Sequence, residues 1–181
     1  MSHNVPQAAA VAEDPTVGLV YREIEEQLGF GIVPNVFRAM AAHPAVLEAN
    51  WFMFQRVVLG GVLPRAVKEM VGVVIGAVRG SAYVRDVHTH SLGMQGVTRE
   101  VLSALAAGDL RAAAGTPATV ALLELARDAA AGGADRVRGG IARLRAAGLS
   151  EVEALEGIGA IELFLAVATL TDILDVPLDQ V

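Results

Sequence analysis

The chain of 181 residues contains no cysteine. Disulfides, thiolate nucleophiles, redox-active dithiols and cysteine-ligated zinc are therefore excluded outright. Aromatic residues make up only 4%, with Trp51 the single tryptophan. Charge is also scarce: 19% of residues are charged, against about 25% in an ordinary soluble domain. Lys68 is the sole lysine, and the formal net charge is -6. An acidic chain of this kind argues against a nucleic-acid binder or a clamp for anionic membranes. The basic stretch Arg136, Arg138, Arg143 and Arg145 has no interleaved aromatics and reads as a solvated helix face. An uninterrupted apolar run of membrane-spanning length is missing too, because the best candidate, Ile158 to Leu174, is broken by Glu162 and Asp172. No basic n-region opens the chain, so no signal peptide is read and a cytoplasmic protein without a membrane span is expected.

What the chain has in excess is apolar surface: 54% of its residues are hydrophobic, with a mean hydropathy of +0.49. Disorder as the main state is ruled out, and one sizeable core is affordable. The surplus further predicts a homo-oligomer, since a monomer would leave large apolar patches in water. Residues 1–14 read as a loose Ala-rich arm, and 15–181 as a single domain.

Helical punctuation recurs and strand alternation does not. Pro15, Pro44, Pro64 and Pro117 are placed at first helical positions, where a missing N–H costs nothing. Thr98 and Ser150 read as N-caps, the latter with Glu153 to complete a capping box. Gly29, Gly60, Gly96, Gly115 and Gly148 sit where helices would stop. Between these marks the apolar spacing is near 3.6, which predicts an all-α bundle of about eight helices. The last helix, carrying Leu155, Ile158, Leu163, Leu165 and Leu170, is apolar on most sides and is expected to be central. Gly96 to Leu102 echoes Gly148 to Leu155, which fits either ordinary helical hairpins or a duplicated unit, roughly 35–110 and 115–181.

The densest polar cluster runs from Ser81 to His90. On a helix, Ser81, Val84 and His88 share one face, so His88 points inward, while Asp86 and His90 form an i,i+4 surface pair. His88 reads either as a satisfied core histidine or as a catalyst. The i,i+2 spacing of His88 and His90 splays two ligands apart, so no metal is called for. Ser81 lacks the glycines of a nucleophile elbow. Gly157 and Gly159 lack the third glycine of a dinucleotide fingerprint, and no cofactor is expected. Glu69 lies amid the apolar helix beginning near Pro64. It is either a rim carboxylate, with Lys68 beside it, or a proton partner for a core histidine.

The segments Gly31 to Phe37, His43-Pro44, Leu63 to Glu69, Ser81 to Val84 and His88 resemble the alkylhydroperoxidase AhpD-like superfamily, which includes carboxymuconolactone decarboxylases. The similarity is nearest to its peroxidase-related branch and covers nearly the whole chain after about residue 15. It implies an all-helical fold with a repeated helical unit, assembled as trimers or hexamers. By the same resemblance, Glu69 and His88 take the family's glutamate and histidine positions, and Tyr83 matches an aromatic found just before the second cysteine. Ser81 and Val84 occupy the two cysteine positions, so the thiol peroxidase activity that the family name suggests is expected to be absent. Two functional readings follow. One is an acid–base enzyme for a small organic substrate, of decarboxylase or related type, using Glu69, His88 and Tyr83. The other is a catalytically inactive oligomer that binds or scaffolds; an antioxidant alkylhydroperoxidase remains by family label alone.

Overall fold

The structure, a computed structural model, describes residues 14–180. The arm expected over residues 1–14 therefore lies, but for Asp14, outside the described residues. Among those residues there are eleven α-helices, one π-helical turn and no strand. The helices are α1 Pro15–Leu28, α2 Asn35–Met40, α3 Pro44–Phe54, α4 Arg65–Arg79, α5 Ala82–Met94 and α6 Arg99–Ala106. There follow α7 Leu110–Ala114, α8 Pro117–Ala131, α9 Ala134–Val137, α10 Gly140–Ala146 and α11 Glu151–Ile173. Elements of four to six residues, such as α2, α7 and α9, are too short for a 3.6 period to register, which accounts for the larger number.

The caps do the local work. Asp14 accepts the Thr16 and Val17 amides, Thr98 that of Val101 and Thr116 that of Thr119. Ser150 and Glu153 form the complete capping box. Pro64 stands one residue outside α4, at its N-cap, rather than inside it. The π turn, Gln55–Leu59, extends α3 and closes with the Gly60 amide on the Gln55 carbonyl at 2.8 Å.

The most enclosed helix is α4, in which every residue from Lys68 to Gly76 is buried. It packs against α5, α8 and α11. This corrects the expectation that the last helix is central. On α11 the inward seam is built from small residues, Ala154, Gly157, Ala160 and Ala168, with Leu163 and Phe164. A Cβ on Gly157 would come within 2.7 Å of the Leu122 side chain, so close approach is what this face is for. Leu155 is left 56% exposed. By length and composition α11 could cross a bilayer; in this fold it is a packing element of the bundle.

Lys68 and Glu69 are both 1% exposed, so neither is a rim residue. The Lys68 ammonium donates to the Gly60 carbonyl and to Glu156 Oε1, 2.7 Å away. The same Glu156 carboxylate accepts the amides of Val62 at 2.6 Å and Leu63 at 3.2 Å. One ion pair thus fixes the connection that delivers the chain into α4.

Helices α4 and α5 meet through a sharp reversal. Gly80, at φ +70°, closes α4, and the Ser81 amide bonds back to the Gly76 carbonyl at 2.9 Å. Across the seam, a Cβ on Gly76 would collide with the backbone of Arg85. Gly76→Ala is expected to lower unfolding free energy by at least 1–3 kcal/mol, roughly the cost of overpacking a tight site. Gly93→Ala, where nothing lies within 4 Å of the added methyl, should be neutral or stabilising by up to about 1 kcal/mol. Urea unfolding of the two variants beside wild type measures the contrast.

Candidate active site

The α4–α5 seam holds the buried polar residues of the candidate site. Glu69 stands in the second turn of α4 and His88 midway along α5, and antiparallel packing brings them to the same depth. Glu69 Oε2 lies 2.5 Å from His88 Nδ1. Its other oxygen, Oε1, accepts Arg65 Nε at 3.0 Å and the Ser91 hydroxyl at 2.8 Å. The Ser91 hydroxyl in turn accepts Arg65 and Gln95 side-chain nitrogens, each at 3.3 Å. The His88 ring is wedged. Phe164 of α11 packs edge-on with ring centroids 4.3 Å apart, and a Cβ on Gly72 would fall 2.5 Å from His88 Cδ2.

Electrostatics fixes the proton arrangement. Burial alone would raise the Glu69 carboxyl. The hydrogen bond and charge of the His88 ring, the Ser91 hydroxyl and the Arg65 guanidinium outweigh it and hold the group below its ordinary 4.5. Glu69 is thus a carboxylate, and Nδ1 must carry the proton that bonds to it. Neutral His88 is then the Nδ1–H tautomer, with the lone pair on Nε2. Nε2 has no hydrogen-bond partner among the described residues. Since no fully buried side-chain nitrogen or oxygen there lacks a partner, Nε2 is open to the adjoining cavity.

That cavity is narrow and almost wholly apolar. Phe30, Phe37, Phe54, Leu163 and Phe164 supply its walls, and Arg65, Glu69, His88 and Ser91 its polar end. About 40 Å³ is open to the centre of a water-sized sphere, where a single water needs roughly 10–15 Å³. Phe37 packs edge-on to Trp51 and Phe54 at centroid distances of 5.6 and 5.9 Å, which stiffens the wall.

The remaining residues singled out by sequence lie differently. Tyr83 lines the cavity, but its hydroxyl donates to Asp179 Oδ2 at 2.7 Å and accepts the Val36 amide at 3.1 Å. Burial, then the Asp179 charge, pushes its pKa far up. Ser81 caps α5, and its hydroxyl donates to Asp172 at 2.8 Å; Val84 is wholly buried. Neither lines the cavity. The expected Asp86–His90 pair is not formed: Asp86 pairs with Arg85 at 2.8 Å, and His90 sits edge-on to Phe30 at 5.6 Å. The adjacent guanidinium reaches Asp86 without ordering a second side chain, while the ring gains an apolar contact. Sequence reasoning missed Arg65 and Ser91 as partners of Glu69. Their signals were the i,i+4 spacing of Arg65 to Glu69 and the i+3 spacing of Ser91 from His88.

The whole fold superposes on solved structures of known proteins. One is the debrominase Bmp8, as a cysteine-to-alanine variant in complex with 2,3,4-tribromopyrrole, with a TM-score of 0.79, 19% identity, and coverage of 99% of this chain and 92% of that one. Another is an uncharacterized peroxidase-related protein with an alkylhydroperoxidase AhpD core from Ralstonia eutropha JMP134, with a TM-score of 0.78, 20% identity, and coverage of 97% and 90%. A peroxidase-related protein from Silicibacter sp. TM1040 matches at a TM-score of 0.77 and 18% identity, over 98% and 93%. Residues 44–128, from the start of α3 into α8, match the carboxymuconolactone decarboxylase family. The likeness to these structures is one of fold, an all-helical AhpD-like bundle, and the family match covers just under half of the chain. No curated protein matches the sequence. The chain itself has no cysteine, and the matched span contains Glu69, Ser81, Val84 and His88.

The depressed Glu69 pKa has a consequence for stability. A carboxyl whose folded pKa lies below its unfolded value stabilises fully above the unfolded value, and that contribution is lost as pH falls through the folded one. Asp179, raised chiefly by burial, works with the opposite sign, stabilising most at low pH. Glu69→Gln should therefore be less stable than wild type at pH 7, with the gap closing below about pH 4.5. Unfolding free energies at a series of pH values read this; a gap independent of pH would mean that Glu69 is not ionised in the fold.

Proposed function

We propose that the protein is an acid–base enzyme acting on a small, largely apolar organic molecule, with His88 as the proton-transferring group and Glu69 as its orienting and charge-balancing partner. The observation that carries this is the division of the imidazole. Nδ1 is held by an ionised carboxylate, while Nε2, the basic nitrogen, faces a narrow, largely apolar cavity. In the forward step Nε2 takes a proton from the substrate and the imidazolium forms against Glu69. The electron pair left behind moves onto an acceptor group of the substrate. The imidazolium then returns the proton to the same molecule at another atom. In a decarboxylation, Nε2 takes the proton of the substrate's carboxyl group, the C–C bond breaks to release CO₂ and leave its electron pair on carbon, and the imidazolium returns the proton to that carbanion. Arg65, the cationic group at the polar end, offsets the anionic charge that develops. Tyr83 contributes its ring as cavity wall, since its hydroxyl is already engaged.

The aromatic walls suit flat, apolar rings or short chains. The fold-level likeness to a debrominase bound to 2,3,4-tribromopyrrole makes halogenated heteroaromatics a sensible part of a substrate panel. With no thiol present, the chemistry offered to them is proton transfer. The test is NMR detection of C–H to C–D exchange in D₂O across a panel of small lactones, β-keto acids and halogenated pyrroles. Wild type should accelerate exchange or CO₂ release for at least one compound. Glu69→Gln should lower that rate about 10²–10⁴-fold, the usual share of general acid–base catalysis, and His88→Gln at least as much. Equal rates in wild type and both variants would defeat the reading.

A second reading, an inactive binding or scaffold oligomer, is favoured by the apolar surface of α11. Val152 is 63% and Ile173 73% exposed, and Leu165, Leu170, Ile173 and Leu174 line an open hollow. We place an interface between copies of this chain there in either reading. The trimer or hexamer, the duplicated helical unit and the cytoplasmic setting implied by sequence belong to the same proposal. Sedimentation at micromolar concentration should show a trimer or hexamer, and Leu170→Glu with Ile173→Glu should dissociate it; a wild-type monomer would remove the assembly from both readings.

A further inference from the structure

Beside the cavity at His88 lies a second one of about 230 Å³, and the two share Phe30, Tyr83 and Val87 as a common wall. Leu178 and Asp179 from the C-terminal segment line the second cavity, together with the α5 residues Tyr83, Asp86, Val87 and His90. That segment is held by a small set of polar contacts. Asp179 Oδ1 accepts the Asn35 amide at 2.7 Å, and Oδ2 accepts the Tyr83 hydroxyl at 2.7 Å. The Asn35 side chain donates to the carbonyls of Pro177 at 3.1 Å and Leu178 at 3.3 Å. Apolar anchorage is slight: Val176 is 8% exposed, but Leu178 is 50% exposed. A further open groove runs along the other flank of the segment, past Arg38 and Val33. The strap therefore crosses open space on both sides, pinned chiefly through one carboxylate and one carboxamide.

We infer that residues 177–180 form a latch over the entrance to the cavity, with the second cavity as its vestibule and the Asp179–Tyr83 hydrogen bond as the catch. Tyr83, whose hydroxyl receives the strap, lines both cavities, so releasing Asp179 leaves that hydroxyl held by the Val36 amide alone. Segments with few buried apolar contacts and a few polar ones open locally at far lower cost than the whole fold. The cavity itself has room for only a few water-sized spheres, so a substrate of ten heavy atoms needs such an opening to enter. This inference concerns access to His88 and stands whether the site turns a molecule over or only binds it.

Diethyl pyrocarbonate tests it without a substrate, because it transfers an ethoxycarbonyl group to an unprotonated imidazole nitrogen and releases ethanol and carbon dioxide. Labelling of His88 is followed by peptide mass spectrometry, with exposed His43 as internal reference. Wild-type His88 should react far more slowly than His43. Asp179→Asn should accelerate it about tenfold or more, the scale set by losing a charge-assisted hydrogen bond. A chain ending at Val176 should accelerate it at least as much. The accelerated rates should be insensitive to 0–1 M urea, since local opening exposes little surface. The latch is overturned if the truncated chain keeps its helical circular dichroism and labels at the wild-type rate. It is equally overturned if acceleration climbs steeply with urea, which would report global unfolding.

Discussion

Everything at the candidate site depends on how closely α4 and α5 approach. Gly72 and Gly76, one turn apart on α4, have no side chain where a methyl would strike the His88 ring and the Arg85 backbone. Glycine inside a helix costs roughly 0.5–1 kcal/mol relative to alanine, and this cost is repaid in geometry. With the two helices in near contact, a glutamate on one and a histidine on the other can share a short hydrogen bond inside an apolar interior. A wider seam would let water or a larger side chain between them, and the carboxylate would lose the partner that keeps it ionised.

The adjacent residues Lys68 and Glu69 show how a chain poor in charge uses the little it has. They leave α4 in different directions and are satisfied separately, Lys68 by Glu156 and the Gly60 carbonyl, Glu69 by His88, Arg65 and Ser91. Burying an unpaired charge is prohibitive, and breaking a buried pair costs about 3–5 kcal/mol, so each set constrains its surroundings strongly. The first locks the entry to α4 against α11. The second sets the tautomer of His88. The ion pair that holds the scaffold and the one that prepares the chemistry thus begin at neighbouring positions of one helix, which ties the position of Glu69 to the register of the whole bundle.

The fold was largely legible in the sequence because its signals are local. Proline, Ser150 with Glu153, Thr98 and the terminal glycines mark helix ends by chemistry that acts within four residues. The inward face of His88 followed from helical spacing, and of the two readings open for Glu69 the structure supports the partner of that histidine. What escaped were facts set by long-range partners. Lys68 looked like a rim residue because Glu156, 88 positions later, cannot be paired with it from spacing. Tyr83 looked available for chemistry because Asp179 lies 96 positions away. The centrality of α11 was overestimated for a different reason. Hydrophobicity counts leucines, whereas half of the buried positions of that helix are glycine or alanine and Leu155 is left exposed.

The two positions that the superfamily resemblance assigns to cysteine serve packing in this chain. Ser81 stands at the N-cap position of α5 with its hydroxyl donated to Asp172, and Val84 is core. Neither touches the cavity, so their replacement leaves no hole and no orphaned polar group there. A thiol pathway needs two sulfur atoms at the reacting centre; the proposed proton pathway needs only Nε2, the carboxylate behind it and a largely apolar pocket in front. Glu69 and His88 stand in that arrangement at the cavity, whereas Ser81 and Val84 lie away from it. Retaining a buried carboxylate, with the arginine and serine that keep it charged, would be a costly way to fill a core position that a leucine could fill. That asymmetry weighs for proton chemistry over a bare scaffold, because a scaffold has no use for an imidazole whose second nitrogen opens onto a cavity.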